Sequence, residues 1–491
     1  MSEHLPVMLL VVPLLAAPLC VLLHHEKAAW LLSLAVITCV FSGAWTLLGV
    51  VLEQGVQRYA IGDWPVPWGI ELYIDSLNAF VLVIVATIAA AAILFAGRSV
   101  ASEIAKDRSY LFYCALLLNL TGLLGVIMTG DAFNLFVFIE ISSLSSYALI
   151  SLGQKRAALY AAFRYLILGT IGASFILIGV GLLYAVTGTL NMQDIGERIS
   201  QVSNVRTVTT AISFLVIGLA IKLALFPLHV WLPAAYATAP SVVSVFLAGT
   251  STKVFVYVLV RYLFDIFGVE LVQGLFPVDE ILLLLAMLAI VYGSWVAITR
   301  NSIKSLLAWS SVAQIGYMVL GISLLTMTGL TASILHLFNH AIIKSALFMA
   351  VGCLVYKLGT DRLDDLRTSR GCMPWTRSAF VLAGLSLIGV PGTVGFLSKW
   401  YLLQAAFEIH HWPALIVIIA GSLMAVVYLW KIVEVLYFRS APAEGADQVE
   451  EVPVLMLLPL WLLIAANIWF GIDTSLTIGS VLTAAEKLAG L

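Results

Sequence analysis

Long apolar runs separated by short polar breaks repeat along the whole chain. They lie near 5–23, 28–51, 78–97, 109–129, 132–151 and 157–186, and continue near 207–228, 241–264, 277–298, 303–325, 329–356, 377–406, 412–438 and 453–472. Each is about 18 residues or longer, the length a helix needs to cross a bilayer. The pattern predicts an all-α polytopic membrane protein of about fourteen transmembrane helices, with residues 1–491 forming a single membrane domain. The longest connections are Glu53–Leu77, Asn191–Arg206, Gly359–Arg377 and Ser440–Val452. The first holds GDWPVPWGI (Gly62–Ile70), whose prolines and tryptophans suit an ordered interfacial cap rather than a helix. The last is acidic (Glu444, Asp447, Glu450, Glu451) and reads as a solvated connection. Thr474–Leu491 is mildly amphipathic and reads as a segment along the membrane surface.

Two spans carry interruptions. Lys222 stands five residues before Pro227, with His229 just beyond it. In Gly389-Val-Pro391-Gly-Thr-Val-Gly395, a proline and three glycines precede Lys399. A helix broken inside a membrane frees backbone groups that must be buried in protein or line a cavity. Paired interruptions in two halves of a chain point to inverted repeats with an ion pathway between them. Their local sequences do not superpose, so the repeat is read from position.

Charge inside the apolar runs narrows the picture. Asp131–Tyr147 (DAFNLFVFIEISSLSSY) places Glu140 near the middle of a span, where an ionisable group costs at least ~2.5–3.5 kcal/mol. Phe136, Glu140, Ser143 and Tyr147 share one helical stripe, which must face protein or water. Glu140 reads either as a structural anchor or as a proton-exchanging group balanced between desolvation and a nearby ammonium. Lys222, Lys253 and Lys399 are too central to snorkel easily and read either as static ion-pair partners or as proton carriers. His336, His340 and Lys344 are spaced by four on one face. Two histidines at that spacing can hold zinc, but no third ligand accompanies them. A proton-conducting face and histidines bonded to backbone or water are the two readings. His229 either gates access or bonds carbonyls freed at Pro227. Arg164, Lys431 and Glu434 stand nearer helix ends, where snorkelling or pairing suffices, and Asp131 and Asn134 suit a helix cap.

Composition agrees with the pattern: 62% of residues are hydrophobic and 11% charged, with a mean hydropathy of +1.06. Soluble domains carry about 25% charged residues. A net charge of −2 gives no sign of nucleic-acid binding. The cysteines (Cys20, Cys39, Cys114, Cys353, Cys372) are scattered, so neither a metal site nor a disulfide framework is expected. The first segment has no basic n-region, and Leu19 is too large for a cleavage site, so it reads as the first spanning helix. No Walker A loop, dinucleotide fingerprint, haem or iron–sulfur spacing, or nucleophile elbow is visible. No cofactor is expected, and the energy source is an ion gradient or a partner subunit.

Basic residues set the orientation. With the N-terminus outside, inner loops hold fourteen of them: Lys27, Arg98, Lys106, Arg108, Lys155, Arg156, Arg300, Lys304, Lys357, Arg362, Arg367, Arg370, Arg377 and Arg439. Outer loops hold five: Arg58, Arg198, Arg206, Arg261 and Lys487. Both termini are therefore expected on the outer side of a cell (inner) membrane.

Five stretches stand out together: Gly130–Leu149 (GDAFNLFVFIEISSLSSYAL), Ile221–Gly249 (IKLALFPLHVWLPAAYATAPSVVSVFLAG) followed by Lys253, and Ser302–Met318 (SIKSLLAWSSVAQIGYM). His336–Met349 (HLFNHAIIKSALFM) and Gly389–Trp400 (GVPGTVGFLSKW) complete the set. Together they resemble a known family, the antiporter-like subunits of Mrp-type Na⁺/H⁺ antiporters, respiratory complex I and membrane-bound hydrogenases. The D-type subunits of Mrp antiporters are resembled most closely, while EISSLSSYAL is shared with hydrogenase-associated subunits. The chain is expected to end after fourteen helices, without the lateral helix or extra C-terminal domains of the largest relatives.

The resemblance implies three N-terminal helices (1–97) and two inverted five-helix repeats with discontinuous helices, 109–266 (helices 4–8) and 277–439 (helices 9–13). A last helix and tail (440–491) follow. It makes Glu140 and Lys222 a coupled pair, Lys253 a central relay, and His336, His340 and Lys344 the way to Lys399. It further implies other membrane subunits of a hetero-oligomeric complex as partners, and protons and Na⁺ (or K⁺/Li⁺) as the ions moved. The implied function is proton translocation in a monovalent cation/proton antiporter, a secondary transporter rather than an enzyme. The same relay in a redox-driven pump of the complex I or hydrogenase type is the alternative.

Overall fold

The computed structural model describes residues 4–275, 277–366, 373–438 and 450–488. Arg367, Arg370, Cys372, Arg439, Glu444, Asp447 and the side chain of Lys487 lie outside the described residues. In chain order the helices are α1 (Leu5–Leu23), α2 (Glu26–Gln54), α3 (Ser76–Glu103), α4 (Ser109–Met128), α5 (Ala132–Ser151), α6 (Arg156–Thr187) and α7 (Met192–Ile199). Then follow α8 (Val205–Leu223), α9 (Trp231–Thr238), α10 (Ser241–Gly249), α11 (Ser251–Val260), α12 (Val269–Leu275), α13 (Val278–Thr299) and α14 (Ile303–Ser323). The last are α15 (Met327–Leu358), α16 (Leu363–Leu366), α17 (Pro374–Ile388), α18 (Val394–Glu408), α19 (Trp412–Tyr437), α20 (Val454–Ile472) and α21 (Ser475–Leu488).

Among the described residues, thirteen helical stretches are long and apolar enough to cross a membrane. One of them, Ser241–Ile266, joins α10, α11 and a π-helical turn at Arg261–Ile266. The expected span 377–406 is missing from the thirteen because a break at Gly389–Thr393 divides it into two 15-residue helices, α17 and α18. Taken as one crossing, that pair completes the fourteen.

Burial separates an axis from a periphery. The stretch Ser241–Ile266 is wholly buried within the chain, and α14, α15, α3 and α4 are nearly so. Peripheral helices instead turn large apolar side chains outward, among them Phe163, Trp295, Leu423 and Trp430. Surface of that kind suits hydrocarbon, which leaves the axis for polar groups that need protein partners. Peripheral packing uses small residues: at α6 against α8, a Cβ on Gly218 would fall 2.7 Å from the Gly172 carbonyl.

The connection Glu53–Leu77, expected to hold an ordered cap, is built on strands. It forms an antiparallel hairpin of β1 (Gln57–Ala60) and β2 (Glu71–Ile74), with Gln57 opposite Ile74. Buried Glu71 accepts from Asn191 Nδ2 at 2.6 Å, and its carbonyl accepts from Gly130 N at 3.0 Å, which ties the hairpin to the start of α5 and to α7. Asp131 caps α5 by accepting from Asn134 N at 2.7 Å, as its position predicts. The C-terminal segment does more than lie on a surface: α21 packs on α3 and α15 and buries Val481, Ala484 and Ala485.

Three basic residues assigned to loops are in fact buried. Arg261 pairs with Asp75 at 2.5 Å and with Asp265 at 3.1 Å. Lys304 pairs with Glu103 at 3.5 Å. Arg377 donates to the Leu436 carbonyl at 3.0 Å. Each lies at a helix end, where a long side chain reaches inward to a carboxylate or a carbonyl without leaving the interface.

Candidate functional site

Three crossings are broken part-way through, and a lysine stands at each break. α8 ends at Leu223 and helix resumes at α9, beyond Pro227. α10 passes to α11 through Thr250, whose φ of −122° and ψ of −65° are not helical. α17 ends at Gly389 with φ +98°, a left-handed value that favours glycine. The middle break has no proline to announce it. Gly249-Thr-Ser-Thr252, small and β-branched inside an apolar run, is the only trace it leaves in the sequence.

A helix end leaves carbonyls unsatisfied and carries partial negative charge, so an ammonium is stabilised there. Lys399 Nζ donates to the Leu387 and Ile388 carbonyls of α17 at 2.9 and 2.8 Å. Lys253 Nζ donates to the Ala248 carbonyl of α10 and to Thr252 Oγ1. Lys222 lies in the last turn of α8 and turns instead to α5, where Ser143 Oγ accepts at 2.7 Å and Glu140 Oε1 lies 3.6 Å away. At 3.6 Å the Glu140 contact is an ion pair rather than a hydrogen bond.

The two partners differ in environment. Lys222 is wholly buried, whereas the Glu140 side chain keeps 26% exposure on the outside of the chain. Tyr147, lower on the same stripe, is buried with its hydroxyl unpartnered among the described residues. Its ring meets Tyr165 edge-on, and Tyr165 stacks on Trp231 at 3.7 Å. Trp231 Nε1 then donates to the Ile221 carbonyl at 2.8 Å, beside Lys222. On the other side of α5, Asn119 donates to the Ser142 carbonyl at 2.6 Å and to Ser146 Oγ at 2.7 Å. These bonds fix the rotation of α5 and hold Glu140 toward Lys222.

A second polar group surrounds α15. His336 is held from both ring nitrogens, Nδ1 to Ser398 Oγ and Nε2 to Gln314 Oε1, each at 2.9 Å. His340 stacks parallel to it with centroids 6.1 Å apart, and both its nitrogens are buried without a partner among the described residues. Lys344 Nζ donates to the Leu307 carbonyl at 2.7 Å and to Ser310 Oγ. Lys253 lies near enough to His336, His340 and Lys344 to act on them through space, and Lys399 lies so beside His336. Lys399 Nζ also lies 5.3 Å from the centre of the Tyr317 ring. Lys253, His336, His340, Lys344 and Lys399 therefore form one buried cluster.

Not every expected residue joins it. Among the described residues no hydrogen bond or ion pair links Lys222 to Lys253; Trp231, which bonds the carbonyl beside Lys222, meets the Tyr236 ring edge-on at 6.4 Å. His229 sits apart in an aromatic box of Phe226, Tyr292 and Trp309, with ring centroids 5.2–5.8 Å away. Lys431, read as a helix-end residue, donates to the Ile298 and Arg300 carbonyls at the end of α13. Gln314, Ser398, Ser310 and Asn119 belong to the site and were not singled out from the sequence. Uncharged and common, they become legible only as partners of the charged residues.

A family model described as NADH:quinone oxidoreductase/Mrp antiporter, TM, matches residues 129–425. The chain belongs to this family. NADH-quinone oxidoreductase subunit N of Desulforudis audaxviator is 40% identical over 456 residues, 92% of this chain and 90% of that protein. The D subunit of the Na⁺/H⁺ antiporter of Alkalihalophilus pseudofirmus is 29% identical over 449 residues, 91% and 89% of the two chains. Among solved structures, one of a membrane-bound sulfane sulfur reductase, an archaeal respiratory membrane complex, matches with a TM-score of 0.91 and 29% identity, covering 99% of this chain and 98% of that one. A chain of the Mrp complex from Dietzia sp. DQ12-45-1b matches at 0.87 over 99% and 97% with 23% identity, which shows the shared fold. The match spans the charged residues of the site, from Glu140 in α5 to Lys399 in α18, and begins just after α4, which carries Asn119. Members of the family named here are membrane subunits of larger complexes.

Proposed function

We propose that this chain is the proton-translocating subunit of a multisubunit monovalent cation/proton antiporter, a secondary transporter subunit rather than an enzyme. The observation that carries the reading is the chain of buried charges, three of whose lysines stand at helix breaks. It begins at Glu140 and Lys222, continues at Lys253, His336, His340 and Lys344, and ends at Lys399. The ammoniums of Lys222, Lys253 and Lys399 are held by carbonyls or hydroxyls that a small shift of a half-helix would withdraw, so the charge of each is conditional on backbone position. Movement of Lys222 relative to Glu140 changes the attraction between them and hence proton binding at the next site. The ion exchanged is Na⁺, or K⁺ or Li⁺, moved with the help of partner subunits.

The breaks at α8–α9 and α17–α18 support two inverted repeats, 109–266 and 277–439. The excess of basic residues in one set of loops supports both termini on the outer side of the cell membrane. Glu140→Gln in the intact complex, reconstituted into vesicles, tests the function directly. Cation-dependent proton flux should fall at least about tenfold, and an unchanged flux would sink the proposal.

A second reading has its own support in the 40% identical relative named as an NADH-quinone oxidoreductase subunit and in the respiratory complex of the same fold. In that reading redox chemistry on partner subunits drives the same relay. Purification of the complex from its native membrane with mass spectrometry of the partners separates the two. Small membrane partners alone favour the antiporter, and redox subunits favour the pump.

A further inference from the structure

We infer that Glu103 and Lys304 form a gate between the basic-loop face of the membrane and Lys344, an inference that rests on the proton-translocating reading above. An open vestibule of about 840 Å³ lies on that face, lined by Glu103, Lys304, Lys155, Pro240 and Tyr356 among others. At its floor Lys304 Nζ lies 3.5 Å from Glu103 Oε2, with side-chain exposures of 6% and 17%. The vestibule therefore ends on an ion pair that is nearly withdrawn from solvent.

The pair straddles the junction between α9 and α10. Lys304 Nζ donates to the Ala239 carbonyl at 3.2 Å, at the end of α9. Both Glu103 oxygens accept from Ser241 N, at 3.1 and 3.0 Å, at the start of α10. Ser99 Oγ adds a bond to Glu103 at 3.2 Å. Only Ala239 and Pro240 separate the two helices, so this clasp holds the foot of α10, whose other end carries the Ala248 carbonyl bonded by Lys253. Charge at the mouth and the break beside the central lysine share one nine-residue helix.

Beyond the pair, α14 supplies a polar line. Lys304, Leu307, Ser311 and Gln314 follow one another on one stripe by steps of three, four and three. Ser311 Oγ donates to the Leu307 carbonyl at 3.0 Å, that carbonyl also accepts from Lys344, and Gln314 bonds His336. Six residues of rise, about 9 Å, separate the level of Lys304 from that of Ser310. While Lys304 and Glu103 are paired, the two nearly buried side chains stand between the vestibule and this line, and their parting opens the way.

The rival account is a clasp that only fastens helix ends, and glutamine separates the two. In Glu103→Gln the amide oxygen still accepts from Ser241 N, and in Lys304→Gln the side-chain amide still donates to the Ala239 carbonyl, while the ion pair is gone. Ser310→Cys beside Lys344 supplies a reporter in the intact complex, read as labelling by a membrane-impermeant thiol reagent from the basic-loop face, against the same complex without the substitution. Lys304→Gln should speed that labelling at least about tenfold, the factor that loss of ~1.4 kcal/mol of closure produces. Glu103→Gln should do the same, and serves if Lys304→Gln does not assemble. Equal rates with and without the pair overturn the gate. Failure of the transport reading shows elsewhere, as undiminished flux in Glu140→Gln, a variant whose labelling rate the gate does not govern.

Discussion

Removing the carboxylate of the Glu140–Lys222 pair should harm the protein more than removing the ammonium, and removing both should harm it less than removing the carboxylate alone. At 3.6 Å the attraction is about 4–5 kcal/mol with an effective dielectric near 20. Desolvation falls unevenly on the partners, since Lys222 is wholly buried and Glu140 is not. Glu140→Gln leaves the Lys222 ammonium on Ser143 Oγ, close to an uncompensated buried charge, which costs about 3–5 kcal/mol. Lys222→Met leaves a carboxylate that is less deeply buried than the ammonium, at a smaller cost. In Glu140→Gln/Lys222→Met neither charge of the pair remains, so a coupling of about 2–4 kcal/mol should appear in the cycle.

The temperature at which each variant complex loses its monodisperse form in detergent ranks the four proteins. Expected order is parent, then the double variant with or above Lys222→Met, then Glu140→Gln last. Proton flux in vesicles should follow a different order: all three variants are defective, and the double variant recovers stability without recovering transport. That divergence separates an anchor from a relay. Additive losses of stability would refute the electrostatic reasoning, and a double variant that transports would refute the relay.

Other consequences can be checked separately. A Cβ on Gly395 would fall 1.8 Å from the Ser386 carbonyl, so Gly395→Ala should abolish assembly, whereas Gly384→Ala, with ordinary contacts to Leu429, should not; equal yields of complex would contradict the close packing of α18 on α17. Gln314→Leu or Ser398→Ala leaves one nitrogen of His336 unpartnered, at about 1–3 kcal/mol; a thermal midpoint unchanged in both would show that these bonds do not hold the ring. Burial alone would push the Asp75 carboxyl up, but the Arg261 guanidinium and the N–H groups of Leu77 and Asn78 outweigh it and hold it below the usual carboxylate range. Such a group contributes stability that is present above its unfolded value and lost as pH falls through the folded one, so this loss belongs below about pH 4. Asp75→Asn should lower the thermal midpoint at neutral pH and flatten that acid limb, and parallel pH curves for parent and variant would argue against the clasp.

Much of this architecture was legible because membrane burial simplifies the code. An apolar run of spanning length has few outcomes, and a charge inside one is expensive enough to be informative, which is why Glu140, Lys222, Lys253 and Lys399 could be picked from the sequence alone. Breaks marked by Pro227 and Pro391 were readable for the same reason. The break at Thr250 was not, because Thr and Ser are tolerated in helices and only the tertiary setting bends the chain there. Loop arginines and lysines carried the least information. Arg261, Lys304 and Arg377 sit where the helix boundary and the burial boundary differ by a turn, and side-chain length decides on which side the charge ends.

For Lys253 and Lys399 the static and the mobile readings describe one arrangement. A lysine that bonds the last carbonyls of a half-helix satisfies groups that hydrocarbon could not, and so it is a structural cap. The same bonds make its charge depend on where that half-helix ends. Displacing α17 by a fraction of a turn would withdraw the Leu387 and Ile388 carbonyls from Lys399, and displacing α10 would withdraw the Ala248 carbonyl from Lys253. An ammonium so deprived must find another acceptor or give up its proton. Breaks in the helices are then what makes the charges of Lys253 and Lys399 usable: they place helix ends at that depth, whose carbonyls can hold a lysine and can be taken away.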